Sequence, residues 1–222
     1  MPTQTFLNLS PEKREALLSK ALEEFATHDY QSASISRISA QAAIAKGSLY
    51  QYFADKRDFY LYLVEVASQT LMTAIRHEPP PEPGATIFVL LRWQMSATVR
   101  AALRHPLESQ LVRRAYGTPG GPLDEALTNQ AKAGRDAHLT PLIAEAIARG
   151  DIAADLDPEL VAHTISGIIA DLGPLLIAKL GLDADQAVTG DPAVFATPEV
   201  EHIYDTIIRI LQHGLANTQP AQ

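Results

Sequence analysis

Apolar residues recur every three or four positions through almost all of the 222-residue chain, and this spacing is typical of amphipathic helices. Leu17, Ala21 and Phe25 fall on one face of a helix that is predicted to begin at Ser10-Pro11, since proline is well tolerated at the first helical position. No segment shows the strict alternation of a half-buried strand. The sequence therefore predicts an all-α fold.

A proline-rich run, Pro79 to Gly84, divides the helical pattern in two. Such a run cannot continue a helix and is stiff, so it is the predicted boundary between two helical domains. The predicted parts are 1–54 (a three-helix domain), 55–78 (a long connecting helix), 79–84 (a linker), 85–216 (a second helical domain) and 217–222 (a frayed tail).

Proline also marks the predicted helix starts in the second domain. Pro106 begins one helix, and Asp157-Pro158 and Thr197-Pro198 combine a capping side chain with a following proline. Thr140-Pro141 predicts a break or kink inside an earlier helix that ends at Gly150. Loops are predicted at 117–122 and 183–196.

The chain has no cysteine, so disulfides and thiol chemistry are excluded, which fits a cytoplasmic protein. No signal segment is recognisable at the start. The longest apolar stretch, 164–182, is interrupted by Asp171, Gly173 and Pro174. It is therefore interpreted as a buried helix and not as a membrane span.

The formal net charge of -8 argues at first against nucleic acid as a partner, because DNA-binding proteins normally present a basic face. The charge is unevenly distributed. Residues 1–60 contain seven Lys or Arg and seven Asp or Glu, so the whole excess of acid lies in the remainder. Residues 34–52 contain Arg37 and Lys46 and no acid, so a polyanion could approach this segment.

This acid-free segment also has the size of a helix-turn-helix. A short helix capped by Ser34 is followed by a three-residue turn and a second short helix from about Lys46 to Phe53. The second helix is polar for a core element, and Gly47 costs it about 1 kcal/mol of helix propensity. A glycine there suggests that the backbone comes close to a partner.

At these residues the chain resembles the TetR/AcrR family of transcriptional regulators. The recognition-helix pattern of that family corresponds here to Lys46-Gly47-Ser48-Leu49-Tyr50-Gln51-Tyr52-Phe53, followed by Lys56. The resemblance covers about 11–63 and implies an N-terminal DNA-binding domain followed by a helical domain for ligand binding and dimerisation.

Three positions depart from the family pattern. Ala43 and Asp29 stand where the family usually has glycine, and Ala45 stands where it has a Ser or Thr cap. A lost cap costs about 1 kcal/mol, and a left-handed alanine costs about 1–2 kcal/mol more. Operator affinity is therefore expected to be lower than is typical of the family.

The resemblance implies a set of DNA contacts. Those expected at phosphates are Ser34, Ser36, Arg37, Tyr52 and Lys56, and those expected at or near base edges are Lys46, Ser48, Tyr50 and Gln51. Of these, Lys46 or Gln51 could carry the sequence preference, because lysine favours guanine and glutamine favours adenine in the major groove. Each could instead be a solvated polar residue.

The resemblance also implies a homodimer that binds double-stranded, near-palindromic operator DNA and responds to an unidentified small-molecule effector. The last two helices have apolar faces too wide for one domain to cover, and the family uses their equivalents as a four-helix dimer interface. The expected interface residues are Ile165, Ile168, Leu172, Leu176, Ile203, Ile207 and Leu211. The candidate effector residues are Tyr62, Phe88, Arg92, Trp93, Met95, Tyr116, His138, His163 and Asp171, each of which could equally be ordinary core or surface.

Two other functions stay open. One is an all-helical enzyme or metal-binding bundle, although the sequence lacks the common hydrolase and nucleotide-binding motifs. The Glu199-x-x-His202 spacing could bind iron, but no second copy of it is present. The other is a helix-turn-helix protein that acts only through protein partners. We expect neither catalytic activity nor a cofactor.

Overall fold

The computed structural model describes residues 2–117, 125–181, 195 and 197–215. Within these residues the chain is all-helical, as predicted. The helices are α1 (Gln4–Leu7), α2 (Pro11–Thr27), α3 (Ile35–Gln41), α4 (Lys46–Tyr52), α5 (Lys56–Arg76), α6 (Ile87–Arg104), α7 (Pro106–Gly117), α8 (Glu125–Arg149), α9 (Pro158–Lys179) and α10 (Pro198–Leu215).

The contacts divide the chain into two compact units, and each unit is built from two separate stretches of sequence. The first contains residues 1–74 and 104–126, and the second contains residues 75–103 and 127–222. Helix α7 therefore packs with the N-terminal helices, mainly against α2. This division differs from the continuous one proposed from sequence at 79–84, because contacts between distant segments cannot be recognised from local composition.

The first unit is held by an aromatic core. Phe25, Phe53 and Phe59 are fully buried, with ring centroids of the last two 4.5 Å apart. Leu111 and Ala115 of α7 complete this core. Fully burying such side chains contributes about 1.5–3 kcal/mol each, so the short helices α3 and α4 are stabilised mainly by packing.

The second unit has its own core, formed by α6, α8, α9 and α10. Its largest buried side chains include Met95, Ile143 and Tyr204. Helix α9 is long and apolar enough to cross a membrane by length and composition alone. Val161, Ile165 and other α9 residues are buried in this core, which is the ordinary reason for such an apolar composition in a core helix.

Several predicted helix ends are confirmed. Asp157 Oδ1 accepts hydrogen bonds from the amides of Glu159 and Leu160 at the start of α9, at 2.8 and 3.0 Å. Thr197 Oγ1 accepts one from Val200 N at 3.4 Å. Pro106 begins α7, and Gly150 follows α8 with a left-handed φ of 82°.

Other expectations differ from the structure. Helix α8 continues through Pro141, so the alternative of a break at Thr140-Pro141 is wrong, whereas a kink there stays a prediction. Pro79, at the start of the proline-rich run, contacts α6, because Trp93 Nε1 donates a hydrogen bond to the Pro79 carbonyl at 2.7 Å. Helix α1 was not predicted. The loop positions 118–122, the loop 183–196 apart from 195, and the tail lie outside the described residues.

Four of the expected interface residues lie inside the core of their own chain. Ile165, Leu172, Leu176 and Leu211 are all buried there, so a second chain could not cover them further. The other three, Ile168, Ile203 and Ile207, are partly buried at the edge of the core. Leu160 of α9 and Ile210 of α10 are 66% and 65% exposed.

Candidate nucleic-acid interface

Helices α3 and α4 form a helix-turn-helix whose inner face is apolar. Ile35 and Ile38 of α3 and Leu49 of α4 are buried in the core of the first unit. Ser34 caps α3, since its Oγ accepts the Arg37 amide at 3.3 Å. Both helices therefore direct their apolar residues into the core of the first unit.

The turn between the two helices has two destabilising features, at the positions that depart from the family pattern. Ala43 adopts a φ of 53°, and among the described residues other than glycine it alone has a positive φ. Ala45 occupies the N-cap position of α4 and makes no side-chain capping hydrogen bond. The turn is held through its backbone instead, where Ile44 N donates to Ser39 O at 3.0 Å.

The outer face of the helix-turn-helix is polar and exposed. Its exposed members are Ser36, Arg37, Gln41, Lys46, Gly47, Tyr50 and Gln51. Tyr50 is 51% exposed although its ring is large and apolar. A methyl group built on Gly47 would meet no atom within 4 Å, so packing within the chain does not require glycine there. No acidic residue lies between 34 and 52, so this surface has no negative side chain of its own to repel phosphate.

Arg37 belongs to this face but is also tied to the core. Its Nε donates to both carboxylate oxygens of Glu24 at 3.0 Å, and Nη2 donates to the Ser32 carbonyl at 3.1 Å. The Glu24 side chain is buried and also accepts the amide of Ser34 at 2.6 Å. These contacts, led by the hydrogen bond from Arg37, lower the pKa of Glu24.

Lys56 is also engaged within the chain. Its Nζ donates to the Ala33 carbonyl at 2.7 Å and to the Gln31 carbonyl at 3.3 Å, and it lies 4.7 Å from the centre of the Tyr30 ring. Burial lowers the pKa of Lys56. Lys56 thus joins the start of α5 to the loop before α3, whatever contact it makes with DNA.

The other predicted contacts vary in exposure. Ser34 and Ser48 are half-buried. Tyr52 is buried, with its ring centroid 6.1 Å from that of Phe6. Only an edge of the Tyr52 side chain could therefore reach a phosphate.

Residues that the sequence pattern did not predict support this face from behind. Thr3 and Phe6 precede the first predicted helix and contact α4. Glu24 looked like one of many surface acids on α2. A lone buried phenylalanine near the start is a weak signal, and nothing in the sequence pairs Glu24 with Arg37, which lies 13 residues away.

The candidate effector residues do not form one cluster. Tyr62 and Tyr116 pack against the core of the first unit, whereas Phe88 and Met95 are buried in the core of the second. The remaining candidates lie nearer the surface of the second unit, and they are Arg92, Trp93, His138, His163 and Asp171.

Two of these candidates already have partners in the second unit. Arg92 donates to Asp205 and Glu201 at 2.7 Å each, which raises its pKa. His163 Nδ1 lies 2.8 Å from Asp136 Oδ2. Glu199 and His202 are exposed on α10, and within the described part of the chain no three metal-binding side chains come together.

A groove of about 530 Å³ lies on the first unit, between α2 and α5. Its apolar lining includes Leu18, Leu22, Leu63 and Val66, and Arg14 also lines it. None of the candidate effector residues lines it.

Comparison with known proteins identifies the family. Residues 17–63 match the family model described as bacterial regulatory proteins, tetR family. The match begins within α2 and ends within α5, so it includes the whole helix-turn-helix. The chain is 33% identical to a TetR family transcriptional regulator from Chloroflexus aurantiacus J-10-FL. The match to that crystal structure covers 98% of this chain and 99% of the other, with a TM-score of 0.79.

A curated protein and a further solved structure are also similar to this chain. The transcriptional regulator AcuR of Cereibacter sphaeroides is 27% identical over 175 residues, which are 77% of this chain and 78% of AcuR. The fatty acid degradation regulator FadR of Bacillus halodurans shares the fold at 16% identity, with a TM-score of 0.65 over 92% of this chain and 96% of that one. The sequence pattern, the exposed helix-turn-helix and these matches agree, and the chain belongs to the TetR family of transcriptional regulators.

Proposed function

We propose that this regulator is a ligand-responsive repressor that binds a palindromic operator as a homodimer. The observation that carries the proposal is the exposed, acid-free outer face of α3, the turn and α4. A helix of this length fits the major groove, and two copies related by a two-fold axis would read two half-sites. The acidic remainder of the chain then limits non-specific attraction to DNA.

Within this face, Lys46, Tyr50 and Gln51 are the side chains proposed to reach base edges. All three are exposed on α4, and both lysine and glutamine have donors that match acceptors in the major groove. The open space around Gly47 supports a close approach of DNA to the start of the helix. Ser48 is proposed at the margin of the same contact.

Phosphate contacts are proposed for Ser34, Ser36, Arg37, Tyr52 and Lys56. Ser36 gives the simplest test of a phosphate contact, because it is exposed. Arg37 and Lys56 would contact phosphate while keeping the internal contacts described above. Their removal would therefore change the fold as well as the DNA contact.

The proposal is tested by selecting bound sequences from random DNA with the purified protein at low salt. We expect enrichment of a palindrome, and binding that weakens steeply with salt because counterions are released from DNA. If no palindrome is enriched, the operator proposal is wrong.

Two matched variants then separate the kinds of contact. Gln51→Ala should relax the preference at one or two positions of each half-site, at a cost of about 1–3 kcal/mol on the preferred base. Ser36→Ala should weaken binding to all sequences by a similar factor. Equal losses on every sequence for both variants would mean that Gln51 does not read a base.

We propose that the effector binds in the second unit and shifts the population of the dimer towards a spacing of the two helix-turn-helix elements that does not fit the operator. Phe88, Trp93 and Met95 lie on α6 in that unit and are the proposed apolar contacts. A screen of small molecules should find a compound that both raises the melting temperature and releases the operator. A compound that stabilises the protein without changing operator affinity would not be the effector.

A further inference from the structure

The extreme N-terminal segment contacts the last turn of α4. Thr3 N donates a hydrogen bond to the Tyr52 carbonyl at 2.9 Å, and Thr3 Oγ1 donates one to the Gln51 carbonyl at 2.7 Å. The last carbonyls of a helix have no partner within the helix. Thr3 therefore provides two of the donors that the end of α4 needs.

Phe6 anchors this segment. Its side chain has no exposed surface, and its ring centroid lies 5.0 Å from that of Phe53, 5.5 Å from that of Tyr62 and 6.1 Å from that of Tyr52. Tyr52 and Phe53 are the last residue and the C-cap of α4. The buried ring thus fixes Thr3 against the helix end.

The recognition helix needs such support. Helix α4 has seven residues, its N-cap residue makes no capping hydrogen bond, and it follows the left-handed Ala43. An isolated helix of this length is unstable in water. Since the start of α4 is weakly fixed, contacts at its end have a large share in setting the direction of its axis.

We propose that residues 3–9 form an N-terminal clamp that orients α4 for operator binding, with Thr3 and Phe6 as positioning residues. The inference rests on the proposed function, in which α4 reads the operator. Thr3 is the N-cap residue of α1, but its side chain makes no capping hydrogen bond to α1. Its hydroxyl therefore stabilises the end of α4 and not the start of α1. Its removal tests the clamp without disturbing α1.

The matched variants are Thr3→Val and Thr3→Ser in the full chain. Valine has nearly the same shape as threonine and keeps the backbone bond to Tyr52, but it cannot donate to the Gln51 carbonyl. Serine keeps that donor. We expect Thr3→Val to bind the selected operator roughly three- to tenfold more weakly, as the loss of one hydrogen bond implies, and Thr3→Ser to bind within about twofold of the unaltered protein.

Affinity for random DNA separates positioning from general damage. Thr3 is a neutral residue, so Thr3→Val should leave both the affinity for random DNA and the salt dependence of binding unchanged. The ratio of operator to random affinity should fall. Equal operator binding by Thr3→Val and the unaltered protein would overturn the proposal, as would equal weakening by Thr3→Val and Thr3→Ser.

Hydrogen exchange in the free protein tests the clamp without DNA. The amides of Tyr52 and Phe53 should exchange faster in Thr3→Val and in Phe6→Leu than in the unaltered protein, while the α2 amides stay protected. Unchanged exchange at α4 would overturn the clamp. The two proposals can fail separately. If the unaltered protein selects no operator although these amides exchange faster in the variants, the proposed function is wrong. The N-terminal clamp would then stabilise α4 without a role in operator recognition, and that result would overturn the proposal.

Discussion

Three residues in or beside the turn of the helix-turn-helix lower the stability of the fold, and burial of its core must offset this loss. Ala43 is left-handed, Ala45 provides no cap, and the buried Ser39 Oγ has no hydrogen-bond partner among the described residues. These costs are about 1–2, 1 and 1–3 kcal/mol respectively. Because they are confined to the turn and its flanks, they can be relieved individually without altering the outer face.

Ala43→Gly should stabilise the first unit. Glycine adopts a φ of 53° without the clash between Cβ and backbone, and part of this gain is offset by the greater freedom of glycine in the unfolded chain. We expect the free energy of unfolding in urea to rise by about 1 kcal/mol. The control is Ala42→Gly, at a φ of -82°, which should lower it; a loss of stability in both variants would contradict the assigned turn.

Glu24 should make stability depend on pH. Its pKa is lowered from an ordinary 4.5, mainly by the hydrogen bond from Arg37. A lowered carboxyl pKa means that its stabilisation is complete above the unfolded pKa and is lost as the pH falls through the folded pKa. Glu24→Gln should therefore cost about 1.5–3 kcal/mol at pH 7 and progressively less below about pH 4.5.

Urea titrations at several pH values check this prediction. Glu23→Gln is the matched control, because it removes the same charge from the neighbouring position, where Glu23 forms a surface pair with Lys20 at 2.8 Å. Such pairs are worth about 0–1 kcal/mol. A difference between Glu24→Gln and the unaltered protein that persists undiminished at low pH would show that the ion pair is not its cause.

The helices differ in how much capping residues at their own ends contribute to their stability. Helix α9 has a side-chain cap from Asp157 and a proline at its first position, so its start is fixed by local sequence. Helix α4 has neither, and it relies on burial of Leu49 and on the N-terminal clamp. Local signals thus define the long helices of the second unit, whereas tertiary contacts define the recognition helix.

Asp157→Ala should destabilise the second unit. It removes the acceptor for the amides of Glu159 and Leu160, and the expected cost is about 1 kcal/mol. Asp157→Ser keeps an acceptor at the N-cap and should recover most of the loss. Thermal unfolding followed by circular dichroism measures both variants, and equal stability of alanine and serine would show that the cap contributes nothing.

Across the described residues of α9 and α10, one apolar stripe is only partly covered within the chain. On α10, Val200, Tyr204, Ile208 and Leu211 face the core, whereas Ile203, Ile207 and Ile210 form a second stripe on another side of the helix. Ile203 and Ile207 are partly buried and Ile210 is 65% exposed, and partly exposed apolar area of this kind is typical of an interface. A second copy of the chain is the proposed partner, through a four-helix arrangement of α9 and α10.

Ile207→Glu should yield a monomer that binds operator weakly, because a charge would be buried against the partner without a counter-ion. Ile168→Glu on α9 should act in the same way. Val89→Glu on α6 is the control, since Val89 is 49% exposed but lies outside the stripe. Sedimentation measures the state of each variant, and dimers of Ile207→Glu as stable as those of Val89→Glu would place the interface elsewhere.

By itself, the sequence determined the all-α fold, the family and the outer face of the helix-turn-helix. These depend on local pattern: helical spacing, caps such as Asp157, and a motif within 34–56. The left-handed φ of Ala43 was also expected, because the resemblance places this alanine where the family usually has glycine.

Only the tertiary structure decided which distant segments meet. It brought α7 into the first unit, joined Arg37 to the buried Glu24, docked Pro79 on α6 and placed Thr3 against the end of α4. It also separated buried Ile165 from exposed Ile210 within faces that look equally apolar in sequence. Hydrophobic spacing predicts that a residue is buried, but it does not predict which residues it packs against, because the hydrophobic effect is non-directional. Hydrogen bonds and ion pairs need a partner at a defined distance and angle, and only the folded chain places that partner.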